Sequence, residues 1–412
     1  MDHRQRALII LTATFAVSHL DRQIMSVSLN AIGQEFSLSD TQLGLLSGGV
    51  FAFVFAICGI PLARLAAWYP RRIIIAISVL IWSGLTILTS GAQSFAHLLV
   101  TRLGVGIGEA GGVAPAHSLV SDLFPEDRRT SAFATLVSGS NIGVLFAFLI
   151  GGIVGQTIGW RWAFVIAGLP GMVLAVLVWR YVEEPKRSTP TQADLSRSLF
   201  VETLRHFWSD KGLFHALIAV CITGVVTYGA LSWNAVFIIR VHGLNVAQAG
   251  IVLALTIGIG GALGALFSGR LADRLGQQDP RWRIAVAGIA VLIAKPFVLC
   301  FLYLESTPLA LASFAVSASL ATVFWAPSFA YMHGRLPSEL RPMATAIALF
   351  GFNLVGMGLG PTLVGVMSDQ LAATHGPRSI GVALSVIQVC GVWAAFHYWK
   401  VAQLMAPRNE LR

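Results

Sequence analysis

The chain has 412 residues, of which 56% are hydrophobic and only 11% charged, with a mean hydropathy of +0.74. Soluble domains carry about 25% charged residues, so a soluble enzyme or binding domain is excluded and a membrane protein is expected. The net charge of +9 would point to nucleic acid in a water-soluble chain. Here the basic residues sit in short segments between apolar runs, where they orient a membrane protein, and no nucleic-acid partner is expected.

Apolar runs of about twenty residues recur from end to end. Twelve spans are predicted, at 6–31, 42–65, 73–93, 96–122, 130–156 and 161–182, then at 212–239, 245–272, 282–304, 308–334, 341–368 and 378–402. The fold class is therefore all-α, with two six-helix bundles, 1–182 and 212–412, joined by a polar cytoplasmic linker, 183–211, that holds a short amphipathic helix around 199–208. The first run continues past Leu20 through Asp21 and Arg22 without a small-residue cleavage site, so it reads as a span and not as a leader. With both termini cytoplasmic, that side receives twenty-two Lys and Arg and the opposite side only Arg161, Arg240 and Arg378, which satisfies the positive-inside rule. Short loops and a brief N-terminus predict a multi-pass protein of a bacterial inner membrane, and a monomer is expected.

Three spans carry charge away from their ends. The first holds Asp21 and Arg22 in HLDRQIMS, the fourth holds Arg102 and Glu109 in TRLGVGIGEAGG, and the ninth holds Lys295 beside Pro296. An ionised side chain at the bilayer centre costs about 2.5–3.5 kcal/mol, so such residues face a bundle interior or a wet cavity. Arg102 and Glu109, seven apart, share one helix face. At ~1.5 Å per residue, Asp21 rises about 22 Å from the inner face while Arg102 descends about 9 Å from the outer one, nearly equal heights in a core of ~30 Å. Asp21 is accordingly expected to meet Arg102, with Glu109 about 10 Å deeper.

Loss of water and a neighbouring guanidinium act in opposite directions on a carboxylate's proton affinity, so an arriving anion can tip it. Asp21 and Glu109 are therefore expected to exchange a proton, while Arg22 and Arg102, with Glu109, hold an anionic substrate. His19 beside the pair and Lys295 in the other half are further substrate contacts. The alternative is a static ion-pair set that fixes helix packing, and for Lys295 a local pair or a snorkelled amine. Cys58, Cys221, Cys300 and Cys390 fall in apolar segments, and neither they nor His97, His117, His215 and His333 show ligand spacing, so no metal is expected. No phosphate loop ending in Lys-Ser or Lys-Thr is present and no cofactor is expected, which removes ATP as the energy source.

The halves echo each other. RLAAWYPRR begins at Arg64 and GRLADRLG at Gly269, and Gly139-Ser-Asn141 is matched by Gly351-Phe-Asn353 at nearly the same offset. Two pseudo-symmetric halves with a midplane site form a recurring transporter plan. Asp273 and Arg274, with Arg71 and Arg72 in the first copy, are expected to gate the cytoplasmic mouth by pairing with an adjacent helix end; a solvated turn explains the same charges.

At these residues the chain resembles the major facilitator superfamily, whose loop signature, G-x-x-x-D-R-x-G-R-R, fits Gly269, Asp273, Arg274 and Gly276. The first copy departs, with Ala67 and Trp68 at the Asp and Arg positions and only Arg71 and Arg72 kept. The fifth span has Phe148 where antiporters of the superfamily have proline. Asp21-Arg22, Arg102 with Glu109-Ala110, and Ala114-Pro115 running into Asp122-Leu123-Phe124 resemble the Spinster-like transporters of lysolipids and sphingoid lipids. That resemblance implies proton and substrate roles for Asp21, Arg22, Arg102 and Glu109. Organic-anion symporters share the Asp-Arg and Arg-x6-Glu-Ala features, so the substrate class stays open between them. The expected function is proton-coupled, alternating-access transport of an amphipathic or anionic small molecule, lysolipid or sphingoid-like. The alternatives are a small organic-anion symporter and, from another class, a polytopic lipid receptor or membrane enzyme, for which no Ser-His-Asp set or His-rich cluster is evident.

Overall fold

The computed structural model describes residues 2–185 and 192–405. Lys186 and Arg187 of the predicted linker, and the terminal Arg408 and Arg412, lie outside them. The described residues contain helices and no strand. By packing they divide into two compact units, Met1–Ala193 with Asn234–Ala254, and Asp194–Trp233 with Leu255–Arg412.

The first unit is built from α1 (His3–Phe36), α2 (Asp40–Gly44), α3 (Val50–Trp68), α4 (Arg71–Thr89), α5 (Phe95–Ala110), α6 (Val113–Leu123), α7 (Glu126–Thr157) and α8 (Trp160–Tyr181). After α9 (Gln192–Ser209), α10 (Lys211–His242) belongs to the second unit up to Trp233 and to the first from Asn234, and the first unit also takes α11 (Val246–Leu253). The remainder of the second unit is α12 (Gly261–Gly276), α13 (Trp282–Tyr303), α14 (Thr307–Leu320), α15 (Trp325–Arg335), α16 (Arg341–Gly351), α17 (Gly358–His375) and α18 (Ser379–Gln403).

Nine stretches among the described residues are long and apolar enough to cross a membrane. α1 and α5–α6 are outside that set for a physical reason. α1 has 34 residues, about 51 Å at 1.5 Å each, but carries Asp21 and Arg22. The fourth predicted span is broken by a turn at Gly111–Gly112 into two helices, and its upper part holds Arg102 and Glu109. Large apolar side chains such as Phe53, Val173, Leu266 and Val389 are exposed, as a lipid-facing surface requires and a water-facing one disfavours.

Two other local features shape the spans. Ser39 and Gln42 form a capping box before α2, and Asn245 and Gln248 form another before α11; each satisfies two otherwise orphaned backbone donors at the helix start. Ser39 and Asn245 are separated by the same number of residues as Arg64 and Arg270. Each box is followed by a π-helical segment, Leu45–Gly49 and Ala254–Gly260, and a third such segment, Phe352–Met357, joins α16 to α17.

Within the first unit, close helix approach depends on glycine. At Gly108 an added Cβ would lie 2.9 Å from the Trp82 backbone nitrogen, so α5 and α4 meet backbone to backbone there. α9 starts seven residues before the predicted helix, and within the predicted stretch Leu199, Thr203 and Phe207 recur at four-residue spacing and pack toward Leu213, Tyr331 and Met332.

Candidate functional site

α1 presents a polar stripe in an otherwise apolar helix: Ser18, Asp21, Arg22 and Ser26 are all buried. Consecutive residues on a helix point about 100° apart, so Asp21 and Arg22 address different neighbours. Arg22 reaches α5, where its Nε donates to Glu109 Oε2 at 2.6 Å. Ser18, one turn earlier, donates to the same oxygen at 2.9 Å. Asp21 turns instead to α4, where Thr86 Oγ1 donates to its Oδ2 at 3.2 Å. The expected meeting of Asp21 with Arg102 is therefore corrected. Arg102 Nε donates to the Leu46 carbonyl at 3.2 Å, and the ion pair of the cluster is Arg22–Glu109.

All four charges are sealed. Asp21 is 0% exposed, Glu109 1%, Arg102 2% and Arg22 9%. Both guanidiniums lie against the Phe51 ring, Arg22 at 4.9 Å from its centroid and Arg102 at 5.6 Å, and Arg22 also lies 5.2 Å from that of Phe55. Cation–π contacts of this kind are worth about 0.5–2 kcal/mol each. Leu46 lies in the π-helical segment before α3; such segments interrupt the regular ladder and recur at functional sites.

The cluster is not saturated. Asp21 Oδ1 and Glu109 Oε1 are buried and have no hydrogen-bond partner, whereas a buried carboxylate oxygen ordinarily finds a donor. Arg102 holds a neutral carbonyl and no carboxylate. Two carboxylates each retain one buried oxygen without a donor, and Arg102 has Asp21 and Glu109 within electrostatic reach but hydrogen-bonds neither. This arrangement can accept a proton on either carboxylate and an anionic group on either arginine.

The other expected residues fall elsewhere. His19 Nδ1 is 3.0 Å from the Phe15 carbonyl, within α1. Lys295 belongs to the second unit, where its Nζ donates to Gln388 Oε1 at 2.8 Å. The same unit gathers Tyr228, which donates to Asn353 Oδ1 at 2.6 Å, with the Phe352 ring tilted against it and Trp325 tilted in turn against Phe352. Asp273 and Arg274 are exposed at the end of α12. Arg71, by contrast, is buried: it donates to Asp122 Oδ2 at 2.6 Å, Ser118 Oγ at 2.7 Å and Glu184 Oε1 at 2.8 Å, and the Arg72 backbone N–H donates to Glu184 Oε2 at 3.0 Å. Where the first loop lacks its aspartate, α6 and the segment after α8 supply the carboxylates. Sequence reasoning missed Ser18, Thr86 and Glu184. The four-residue step from Ser18 to Arg22 was a usable signal for the first; Glu184, placed by tertiary packing alone, left none. Among the described residues no group of three His, Cys, Asp or Glu is placed to hold a metal.

The family described as Major Facilitator Superfamily matches residues 11–361 and 243–408. An "MFS-type efflux pump" of Mycolicibacterium smegmatis is 32% identical, over 95% of this chain and 90% of that protein. The "Sphingosine-1-phosphate transporter SPNS2" of Danio rerio is 23% identical, over 92% of this chain and 78% of that protein. The crystal structure of a bacterial homolog to human lysosomal transporter, Spinster, in an inward-facing and unoccupied conformation superimposes with a TM-score of 0.86 at 27% identity, covering 98% of each chain. The chain thus belongs to the Major Facilitator Superfamily and is a Spinster-like membrane transporter, not an enzyme.

Proposed function

We propose that this transporter couples a proton to the movement of an amphipathic or anionic small molecule, with Asp21 and Glu109 as proton sites and Arg22 and Arg102 as substrate sites. The observation that carries the reading is the state of Glu109: one oxygen bound by Arg22 and Ser18, the other buried and open. With both carboxylates ionised, the four charges cancel. A proton on Glu109 Oε1 removes the anion that holds Arg22 and leaves one positive charge unbalanced in a poorly solvated space. An anionic head group restores neutrality, so proton and anion favour each other's binding. Phe51 and Phe55 beside the guanidiniums suit an apolar stem attached to that head group. This supports a lysolipid- or sphingoid-like substrate over a small organic anion; the zebrafish relative is named for sphingosine-1-phosphate.

The working unit in this proposal is a monomer with twelve spans in two pseudo-symmetric halves, alternating access between the two sides of a bacterial inner membrane, with both termini cytoplasmic. The equal spacing of the two capping boxes and of the Arg64 and Arg270 motifs supports the pseudo-symmetry. Lys295 and His19 serve as further substrate contacts, and Arg71, Arg72, Asp273 and Arg274 serve gating.

Glu109→Gln in proteoliposomes tests the coupling. Uptake driven by a pH gradient should be lost while counterflow of bound substrate persists. Undiminished pH-driven uptake would remove Glu109 from the mechanism. A thermal-shift panel of lysolipids, sphingoid bases and small carboxylates separates the two substrate classes.

A further inference from the structure

At the end of the first unit that carries Arg71 and Glu184, an open cavity of about 390 Å³ lies between the starts of α1 and α7 and the end of α6. Its polar wall is Arg4, Arg129, Ser121 and Asp122, and its apolar wall includes Phe124 and Pro125. Arg129 Nε is closed off from solvent and has no hydrogen-bond partner. A buried N–H on a charged group left without an acceptor is costly. Neither Arg4 nor Arg129 pairs with a carboxylate among the described residues. Asp122, the acid in the wall, is paired with Arg71 at 2.6 Å, a guanidinium it shares with Glu184. The cavity wall therefore holds two arginines against one carboxylate that is itself ion-paired, and contains a guanidinium N–H without an acceptor.

We propose that this cavity binds the phosphate group of an anionic membrane lipid, distinct from the transport site. Guanidinium forks match phosphate oxygens in pairs, and basic pockets at the ends of membrane helices hold anionic head groups. The volume falls in the range of about 300–1,000 Å³ typical of organic ligands, more than a bare phosphate needs. Phe124 and Pro125 suit the glycerol and first methylenes of a lipid. Inorganic phosphate shares the recognised chemistry, so the test separates the two sources.

The purified full chain in detergent is titrated with phosphatidylglycerol, with zwitterionic phosphatidylcholine and with millimolar inorganic phosphate, and unfolding temperature is followed. Phosphatidylglycerol should stabilise saturably and phosphatidylcholine should not, and added salt should weaken the effect. Arg129→Gln should weaken apparent phosphatidylglycerol affinity about tenfold, since charge-assisted hydrogen bonds are roughly twice as strong as neutral ones. Arg129→Lys should recover part of it, and Arg4→Gln/Arg129→Gln should abolish it. Arg378→Gln, on the exposed end of the second unit, should bind as the unaltered protein does. If Arg129→Gln fails to fold, Arg4→Gln, at an exposed position in the first turn of α1, carries the comparison. Stabilisation by inorganic phosphate alone, lost in the same variants, would assign the site to the free ion and overturn the lipid. Unchanged phosphatidylglycerol affinity in the double variant, equal stabilisation by phosphatidylcholine, or no stabilisation by either phosphate source would overturn the site.

Discussion

Replacing Glu109 by Gln should leave the Arg22 guanidinium buried without its anion, and the structure sets the size of the effect. The pair is 2.6 Å long with side-chain exposures of 9% and 0%, so neither water nor salt screens it, and removal of one partner from such a pair costs about 3–5 kcal/mol. Arg22→Gln should cost a similar amount, because Glu109 would then keep only Ser18. The double variant joins two amides able to hydrogen-bond each other, and should recover up to about 3 kcal/mol of the summed loss, the upper end of measured coupling energies. Reversible unfolding of all four proteins in mixed detergent micelles, followed by tryptophan fluorescence, measures the cycle. The reasoning is refuted if the single losses simply add within ~0.5 kcal/mol, or if Glu109→Gln costs less than about 1 kcal/mol, the value of a solvated pair. High salt should change none of these differences.

Two further outcomes test the surrounding frame. Glu35 accepts from Trp160 Nε1 at 2.8 Å and pairs with Arg161, and the Arg161 hydrogen bond holds its carboxyl below the usual carboxylate range. Because its folded value is depressed, its stabilisation is complete above the ordinary carboxylate range and is lost progressively as pH falls from there through the lower folded value. Both side chains are about 40% exposed, so screening limits the contribution to under about 1 kcal/mol. Glu35→Gln should remove that acid-side loss, read by Trp160 fluorescence, and an unchanged acid limb would reject the assignment. Gly108→Ala should cost about 1–3 kcal/mol by overpacking against the Trp82 backbone. Gly59→Ala in α3, where nothing lies within 4 Å, should be neutral or stabilising by up to about 1 kcal/mol; equal losses at both positions would contradict the packing argument.

Apolar run length was enough to read an all-helical membrane chain, because in lipid a backbone must satisfy its own hydrogen bonds. The charged residues also announced themselves, since Asp21, Arg22, Arg102 and Glu109 are costly in a span. Their pairing was not legible. The height argument placed Asp21 and Arg102 at one level, but height along a helix axis says nothing of direction around it. Asp21 faces Thr86 on α4, while Arg22, one residue on, faces Glu109. The break at Gly111–Gly112 was equally hidden, because glycine-rich stretches read alike whether they pack or turn. Arg71 was legible as a basic loop residue, but its partners Asp122 and Glu184 lie 51 and 113 residues away, where only tertiary packing selects them.

The π-helical segment at Leu45–Gly49 accommodates one residue more per turn than a regular helix would, and everything beyond it is rotated by about 100°. Phe51 and Phe55 therefore owe their aim at the two arginines to a count as much as to their identity. Removing a single residue between Leu45 and Gly49 would swing both rings off the guanidiniums without altering any side chain that touches them. The aim of the rings beside Arg22 and Arg102 is thus adjustable by indel, a lever that scanning substitutions through α3 would never touch.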